Sequence, residues 1–238
     1  MARGFWGSDK FAGLPSLSVA AHELKTPITL MRQLSLVLQD ESLSDDQKQY
    51  YHRQLIAVAD GALRLTADLA QAANLQPSLF PLEPINPLAL CRDVAQQMGP
   101  VVGLYGRSVQ WPKTSRRTVL AVANRQLLSR IITNFVDNAL KYTEADMPIS
   151  VLVRQRAGLV RIAVRDYGPQ LTRHEYKSLL SEMGQAKSVK TRPESSGLGI
   201  FIASEFARAM SGDIGLIRHR DGLTFYVELP LSKQLSWL

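Results

Sequence analysis

The sequence is poor in cysteine and in long apolar runs. Its single cysteine, Cys91, excludes an intramolecular disulfide and a zinc site built from cysteines. We expect it to be a small core residue in a reducing compartment. No run of about 18 apolar residues is present, so no membrane-spanning helix is predicted. The opening MARGFWGSDKF lacks the apolar stretch of a signal peptide, and we expect residues 1–14 to be a linker.

Charge of one sign is not concentrated anywhere in the chain. Lys and Arg number 28 against 21 Asp and Glu, a formal net charge of +7, but the basic residues form no long block. Such an excess permits an anionic partner and selects none. A nucleic-acid-binding function depends on this charge alone, and we expect no nucleic acid partner. Internal repeats are also absent, and 238 residues with 45% hydrophobic content suffice for one large or two small domains.

Two apolar patterns with alternating steps of three and four residues open the chain. The first runs from Leu17 to Leu38 and the second from Tyr51 to Ala72, with the polar DESLSDDQ between them. This spacing is typical of the seam of a helical bundle. Because one hairpin would leave much of its seam in water, the pattern predicts an antiparallel two-helix hairpin that forms a four-helix bundle with a second copy of the chain.

Four prolines end this pattern and divide the chain. Pro77, Pro81, Pro84 and Pro87 cannot continue a helix, and beyond them helices alternate with strands. We therefore expect a helical hairpin over 15–76, a linker over 77–86 and a second domain over 87–238.

The second domain has the pattern of an α+β fold. Helices are predicted at about 87–99, at 125–142 and from 198 to just before Gly212. Six strand-like stretches accompany them, and ISVLVRQRAGLVRIAVRD predicts a hairpin that turns at Ala157–Gly158. This order favours an antiparallel or mixed sheet with helices on one face, which is an α/β sandwich.

The first helix carries an unusual polar stretch, AAHELKTPITL, at residues 20–30. His22 lies one position off the apolar stripe and is followed on its own face by polar residues, so we expect it to face water or a partner. Its imidazole can act as a nucleophile near neutral pH, and Glu23 can orient it or accept its proton. Pro27 is expected to bend the helix there. On these residues alone, a solvated His–Glu pair beside an incidental kink explains the pattern equally well.

Three short motifs in the second domain fit a nucleotide site. In NFVDNALKYT, Asn134 and Asn138 share a helix face with Lys141, which offers amide oxygens for Mg²⁺ and a cation for phosphate. Asp166 follows a strand and precedes Gly168, and a buried carboxylate there would accept a hydrogen bond from a donor such as an adenine amino group. SSGLGIFIASEFA places two glycines at a helix start, where backbone N–H groups can face phosphates. Each motif alone is more simply a capping turn or a solvated face.

In this order the motifs resemble the catalytic core of a sensor histidine kinase, from about residue 15 to 230. HELKTP resembles the phosphoacceptor box, NFVDNALKYT the asparagine box, and DYG, SSGLGI and DGLTFYVELP the three glycine-containing segments. The resemblance implies a hairpin that dimerises into a four-helix bundle, followed by an α/β sandwich that binds ATP and Mg²⁺.

The resemblance also implies a role for each matching residue. His22 would accept the γ-phosphoryl group, Glu23 would act as base, and Thr26 would act in dephosphorylating the partner. Asn138, with Asn134, would hold Mg²⁺. Asp166 would bind the adenine amino group with Thr224 behind the ring, and Lys187 would belong to a lid over 170–196. The full set of expected nucleotide contacts is Asn134, Asn138, Lys141, Tyr142, Asp166, Gly168, Lys187, Gly197, Leu198, Gly199 and Thr224.

The implied function is ATP-dependent autophosphorylation of His22 and transfer to an aspartate on the receiver domain of a response regulator. The implied protein is a cytoplasmic homodimer that meets a membrane only through segments outside this chain. Pro169, Gln170 and Ser195 stand where the family has other residues, mostly glycines, which favours as an alternative a non-catalytic dimeric scaffold, a nucleotide sensor or a phosphatase-biased kinase. An ATP hydrolase of the same superfamily is disfavoured, because Asn134 stands where such hydrolases carry a glutamate.

Overall fold

The computed structural model describes residues 17–73, 79–113, 119–144, 147–184 and 198–233. Within these ranges the chain forms two long helices followed by a mixed α and β region. The helices are α1 (Leu17–Val37), α2 (Asp45–Ala73), α3 (Pro87–Leu104), α4 (Arg125–Tyr142), α5 (Arg173–Gly184) and α6 (Leu198–Ala209). The strands are β1 (Glu83–Ile85), β2 (Val109–Gln110), β3 (Ala121–Ala123), β4 (Ile149–Arg156), β5 (Leu159–Arg165), β6 (Asp213–His219) and β7 (Gly222–Pro230).

Asparagine caps fix the starts of the two helices that carry the second domain. Asn86 before α3 and Asn124 before α4 each accept hydrogen bonds from backbone N–H groups two and three residues later, at 3.0–3.3 Å. The predicted bounds of α4 are confirmed. α3 passes its predicted end at residue 99 and continues through Pro100, because the valines that follow pack against the core.

The sheet is mixed, as predicted. Five strands lie in the order β2-β4-β5-β7-β6, with β2 parallel to β4 and the other pairs antiparallel. The predicted β4–β5 hairpin is confirmed: Ala157 and Gly158, with φ of 48° and 80°, form its turn. β1 pairs with β3 in a separate two-stranded sheet. β1 lies inside the stretch predicted as linker, and its pairing with β3 attaches residues 83–85 to the second domain.

One face of the five-stranded sheet is covered by α4 and α6. Alternate residues of β5, such as Ile162 and Val164, are buried beneath these helices. Phe135 of α4 packs on Phe225 of β7 with ring centroids 5.8 Å apart. The opposite face is polar, and there Arg161 of β5 bonds to Glu228 of β7. The predicted sandwich of helices on one sheet face is therefore present.

The two long helices lie against each other, joined by the predicted polar turn. The predicted seam is partly buried along both helices. At the C-terminal end of α2 the seam packs against the core of the second domain, through Leu65, Leu69 and Ala72. By contrast, Ile56 and Leu63 are 60% and 69% exposed. No helix in the described ranges is both long enough and apolar enough to cross a membrane.

A buried ion pair accompanies this contact between α2 and the second domain. Asp68 of α2 is buried, and its Oδ1 lies 3.2 Å from Nε of Arg130 in α4. Burial raises the pKa of the Asp68 carboxyl, and the Arg130 charge offsets this only in part. The pair therefore adds little to the stability of this contact, because burial costs the Asp68 charge more than Arg130 returns.

The buried cysteine leads to a simple prediction. Cys91 is 1% exposed, and burial raises the pKa of its thiol to about 12. Because the thiolate is the reactive form, we expect the native protein not to react with a disulfide exchange reagent at mildly alkaline pH and to react fully in guanidinium chloride. Absorbance of the released thiol measures this, with Cys91→Ser as the blank. Equal rates in native and denatured protein would contradict the packing of α3.

Candidate nucleotide site

One face of α4 collects the side chains predicted to meet phosphate and metal. Asn134, Asn138 and Lys141 follow one another at spacings of four and three residues, which places them on one side of the helix. Both asparagines are partly buried and Lys141 is exposed. Nδ2 of Asn134 donates to the carbonyl of Gly199 at 3.4 Å. This bond brings the first turn of α6, which starts at the buried Leu198, against the asparagine face.

Asp166 provides a buried carboxylate beside this face. It follows β5 and is 2% exposed. Its backbone N–H donates to the carbonyl of Leu223 at 2.9 Å. Its Oδ1 accepts from the N–H of Leu223 at 2.9 Å and from the N–H of Gly168 at 3.4 Å. Backbone donors of this kind compensate a buried negative charge, so the carboxylate is held in one position.

The end of α4 is bonded to the segment that carries Asp166. The N–H of Tyr167 donates to Oγ1 of the buried Thr143 at 3.3 Å, and the N–H of Glu144 donates to the carbonyl of Tyr167 at 2.8 Å. Tyr142, in the last turn of α4, is partly buried next to this junction. The asparagine face and the carboxylate are thus fixed relative to each other by these two hydrogen bonds.

Thr224 lies on the other face of the sheet. It pairs directly with Arg165 of β5, and paired residues of an antiparallel ladder point to the same face. The next residue, Asp166, points the opposite way. Oγ1 of Thr224 is instead hydrogen-bonded to Nε2 of His219 at 2.9 Å. In this register the Thr224 side chain lies on the sheet face opposite Asp166, away from the predicted adenine site, and Leu223 lies on the same side as Asp166.

Residues 123–233 match the family of histidine kinase-, DNA gyrase B-, and HSP90-like ATPases. This match covers α4, the Asp166 segment, the start of α6 and β7, which together form the site described above. The chain thus carries a catalytic core similar to the ATP-binding domains of histidine kinases.

Relatives of the core are sensor proteins. Sensor protein SphS of Synechococcus elongatus is 28% identical over 92% of this chain and 55% of its own length. The swarming motility regulation sensor protein RssA of Serratia marcescens is 29% identical over 90% of this chain and 45% of its own length. The chain spans only 19% of sensor protein EvgS of Escherichia coli.

Solved structures share the fold. Histidine kinase AdeS of Acinetobacter baumannii superposes with a TM-score of 0.60 at 17% identity, covering 89% of this chain and 98% of that one. Full-length ShkA, solved with AMPPNP, superposes with a TM-score of 0.59 at 22% identity, covering 94% of this chain and 48% of that one.

Gly222 of the catalytic core is a residue that the predicted site lacked. Its φ is +130°, and a Cβ at this position would lie 2.3 Å from the carbonyl oxygen of Asp166 and 2.7 Å from its Oδ1. The bonds between Asp166 and Leu223 therefore need glycine here. Its signal in the sequence was the Asp221-Gly222 pair, which is typical of a hairpin turn.

The predicted lid of the core is described only in part. Its first half contains α5, an unpredicted helix, although Thr172 and Glu175 form a reciprocal capping box at its start. The hydroxyl of Tyr176 donates to the carbonyl of Leu216 at 3.2 Å, so α5 covers the edge strand β6. Lys187 and Gly197 lie outside the described residues.

A charged residue links the asparagine face of the core to the hairpin. Burial raises the pKa of the Asp137 carboxyl, and the cations of Lys141 and of Arg64 in α2 lower it in part. The charges of Lys141 on the asparagine face and of Arg64 on the hairpin thus act on the same carboxyl group.

The remaining predicted residues lie on α1. Glu23 is partly buried and Thr26 is exposed. The backbone of His22 belongs to α1, and its side chain lies outside the described part of the structure. α1 contacts both α2 and α6, so the helix that carries His22 reaches the second domain.

A glycine pair tests the site geometry. We expect Gly222→Ala to lower the free energy of unfolding by about 3 kcal/mol, because backbone strain adds to the collision with Asp166. We also expect it to weaken ATP binding. Gly158→Ala is the matched control: its φ is +80° but nothing lies within 4 Å of its Cβ, so it should cost about 1 kcal/mol and leave ATP binding unchanged. Urea titration and calorimetry measure the two effects. Equal losses in both variants would show that strain alone acts.

Proposed function

We propose that this chain uses ATP to phosphorylate His22 and then passes the phosphoryl group to an aspartate on the receiver domain of a response regulator. In this proposal the hairpin, residues 15–76, supplies the phosphoacceptor, and residues 87–238 supply the nucleotide. The proposal rests above all on the bond between Asn134 and Gly199. It joins the two motifs expected to meet the triphosphate, next to the buried carboxylate of Asp166.

Each part of the nucleotide has a matching group. Asp166, whose carboxylate is held by backbone donors, would accept a hydrogen bond from the adenine amino group. Lys141 would neutralise phosphate charge, and the N–H groups at the start of α6, from Leu198 onwards, would face the phosphates. Tyr142 would line the same cleft.

The residues of α4 fit a magnesium ion. No cluster of three or more His, Cys, Asp or Glu side chains able to hold a metal exists in the described ranges. Mg²⁺ does not require one, since it usually binds one or two protein oxygens together with substrate phosphates and water. Asn134 uses its Nδ2 for Gly199, which leaves its Oδ1 to act with Asn138 as a ligand. When bound, the ion would neutralise charge on the transferred phosphoryl group.

The transfer itself needs only these groups and the hairpin. A ring nitrogen of His22 would attack the γ-phosphorus, the bond to the β-phosphate oxygen would break, and ADP would leave. Glu23 would take the imidazole proton. Thr26, one turn later and exposed, is proposed to act when the phosphorylated regulator is dephosphorylated.

Labelled ATP tests the proposal. Incubation with γ-labelled ATP and Mg²⁺ should give a protein-bound label that is labile in acid and stable in alkali. His22→Ala should abolish the label while ATP still binds, and Asn138→Ala should abolish both. His52→Ala is the control, since His52 is an exposed histidine of the same hairpin. Label that persists in His22→Ala, or free phosphate released with no labelled protein, would refute the proposed reaction.

We also propose that the hairpin makes a homodimer. Ile56 and Leu63, one heptad apart on α2, expose large apolar side chains, and a second copy would bury them. Ile56→Glu with Leu63→Glu should weaken the dimer by about 3 kcal/mol, roughly 100-fold in Kd. Light scattering measures the mass, with Glu41→Lys in the turn as the control. An unchanged dimer would place the interface elsewhere.

A further inference from the structure

Arg165 ends β5 and lies directly behind the proposed adenine site, on the outer face of the sheet. Its side chain is only 12% exposed. Nη1 donates to the carbonyl of Asp166 and, at 3.2 Å, to the carbonyl of Leu223. Nη2 donates to the carboxylate of Asp221 at 2.5 Å and to its carbonyl at 3.5 Å. The guanidinium carbon lies 4.4 Å from the centre of the Tyr167 ring.

This one side chain therefore joins three segments of backbone. They are the end of β5 at Asp166, the β6–β7 turn at Asp221 and the start of β7 at Leu223. The donors of a guanidinium are fixed in one plane, so bonds to all three segments set their relative positions. The same segments hold the Asp166 carboxylate, because its Oδ1 accepts from the N–H of Leu223.

The charge of Arg165 acts on its surroundings as well. Burial lowers the pKa of His219, and the positive charge of Arg165 lowers it further. The nearby Asp221 and Asp166 carboxylates raise it in part. His219 is hydrogen-bonded to Thr224 on the same outer face. The outer face behind the site is thus a connected polar network.

We propose that Arg165 is a positioning residue for nucleotide recognition. Together with Asp221 it fixes the backbone of Asp166 and Leu223, and so holds the Asp166 carboxylate at the adenine amino group. This inference rests on the proposed function of Asp166 as the adenine acceptor.

A purely structural role for Arg165 would affect the binding of ATP and GTP alike. Its charged partner Asp221 is 65% exposed at the side chain, and such exposed ion pairs add little stability. Arg161, on the same strand and face, offers a matched comparison. It bonds to Glu228 at 2.7 Å and lies 3.8 Å over the Tyr226 ring, far from Asp166 in the ladder. Replacing either arginine removes an ion pair and a ring contact, but only Arg165 contacts the segment of Asp166.

Nucleotide selectivity distinguishes positioning from stability. We expect Arg165→Gln to raise the Kd for MgATP about 10-fold and to leave the Kd for MgGTP unchanged. Where adenine has its 6-amino group guanine has a carbonyl oxygen, which a carboxylate cannot bind. Arg165→Lys keeps a charge and should restore part of the preference. Arg161→Gln should change neither Kd. Titration calorimetry below the unfolding temperature measures all four proteins.

Hydrogen exchange tests the positioning role of Arg165 in the absence of nucleotide. The N–H of Leu223 donates to Asp166, so its exchange reports whether the carboxylate is held. Arg165→Gln should speed exchange at Leu223, and Arg161→Gln should not. Asp221→Asn, a change at an exposed side chain, should also speed exchange at Leu223. If Arg165→Gln fails to fold, the Asp221→Asn variant provides the test instead.

The outcomes separate the two proposals. Equal weakening of MgATP and MgGTP, or unchanged exchange at Leu223 in both Arg165→Gln and Asp221→Asn, overturns the positioning role. Asp166→Asn is tested in parallel. If it keeps the wild-type preference for ATP, Asp166 is not the adenine acceptor, and the recognition role of Arg165 falls with it. If Asp166→Asn loses the preference and Arg165→Gln keeps it, only the positioning role is wrong.

Discussion

The buried carboxylate of Asp166 imposes the constraint on which the rest of the site depends. A carboxylate at 2% exposure is costly unless backbone donors satisfy it, and here the N–H groups of Leu223 and Gly168 do so. Those donors are available only if β7 begins beside the end of β5. That in turn requires a residue without a Cβ at position 222, because any Cβ would meet Asp166. One buried charge thus fixes a strand register and a turn.

The same segment also fixes α4. Bonds between Tyr167 and the end of α4 hold the helix beside the carboxylate, while Phe135 and Phe225 pack the helix on the sheet below. The asparagine face is therefore positioned by hydrogen bonds at one end and by apolar packing along its length. In the proposed site, amide groups and a carboxylate held in this way would need little reorganisation on nucleotide binding, which is how preorganised sites gain their affinity.

Local signals in the sequence predicted much of this fold, and long-range pairing decided the rest. The bounds of α4 follow from its asparagine cap and amphipathic pattern, and the β4–β5 hairpin follows from its turn residues. The sequence does not predict on which sheet face the Thr224 side chain lies. Leu223, Thr224 and Phe225 are all buried, so no alternation of buried and exposed residues assigns them to a face. The register with β5 settles it. The helix α5 had a local signal, its capping box, within a stretch whose apolar periodicity is weak.

The sequence pattern also did not predict how the hairpin packs against the second domain. Regular apolar spacing does not show which element covers the seam of a helix. Here Leu65, Leu69 and Ala72 pack against the second domain. Beside them, burial outweighs the charge of Arg130 in setting the pKa of Asp68, so this ion pair stabilises the contact little. The contact thus consists of a few apolar side chains and one costly ion pair. Interfaces of this partly polar kind allow domains to move relative to each other. In the proposed function, a phosphoacceptor on one domain and a nucleotide on the other would need that freedom for both phosphorylation and release.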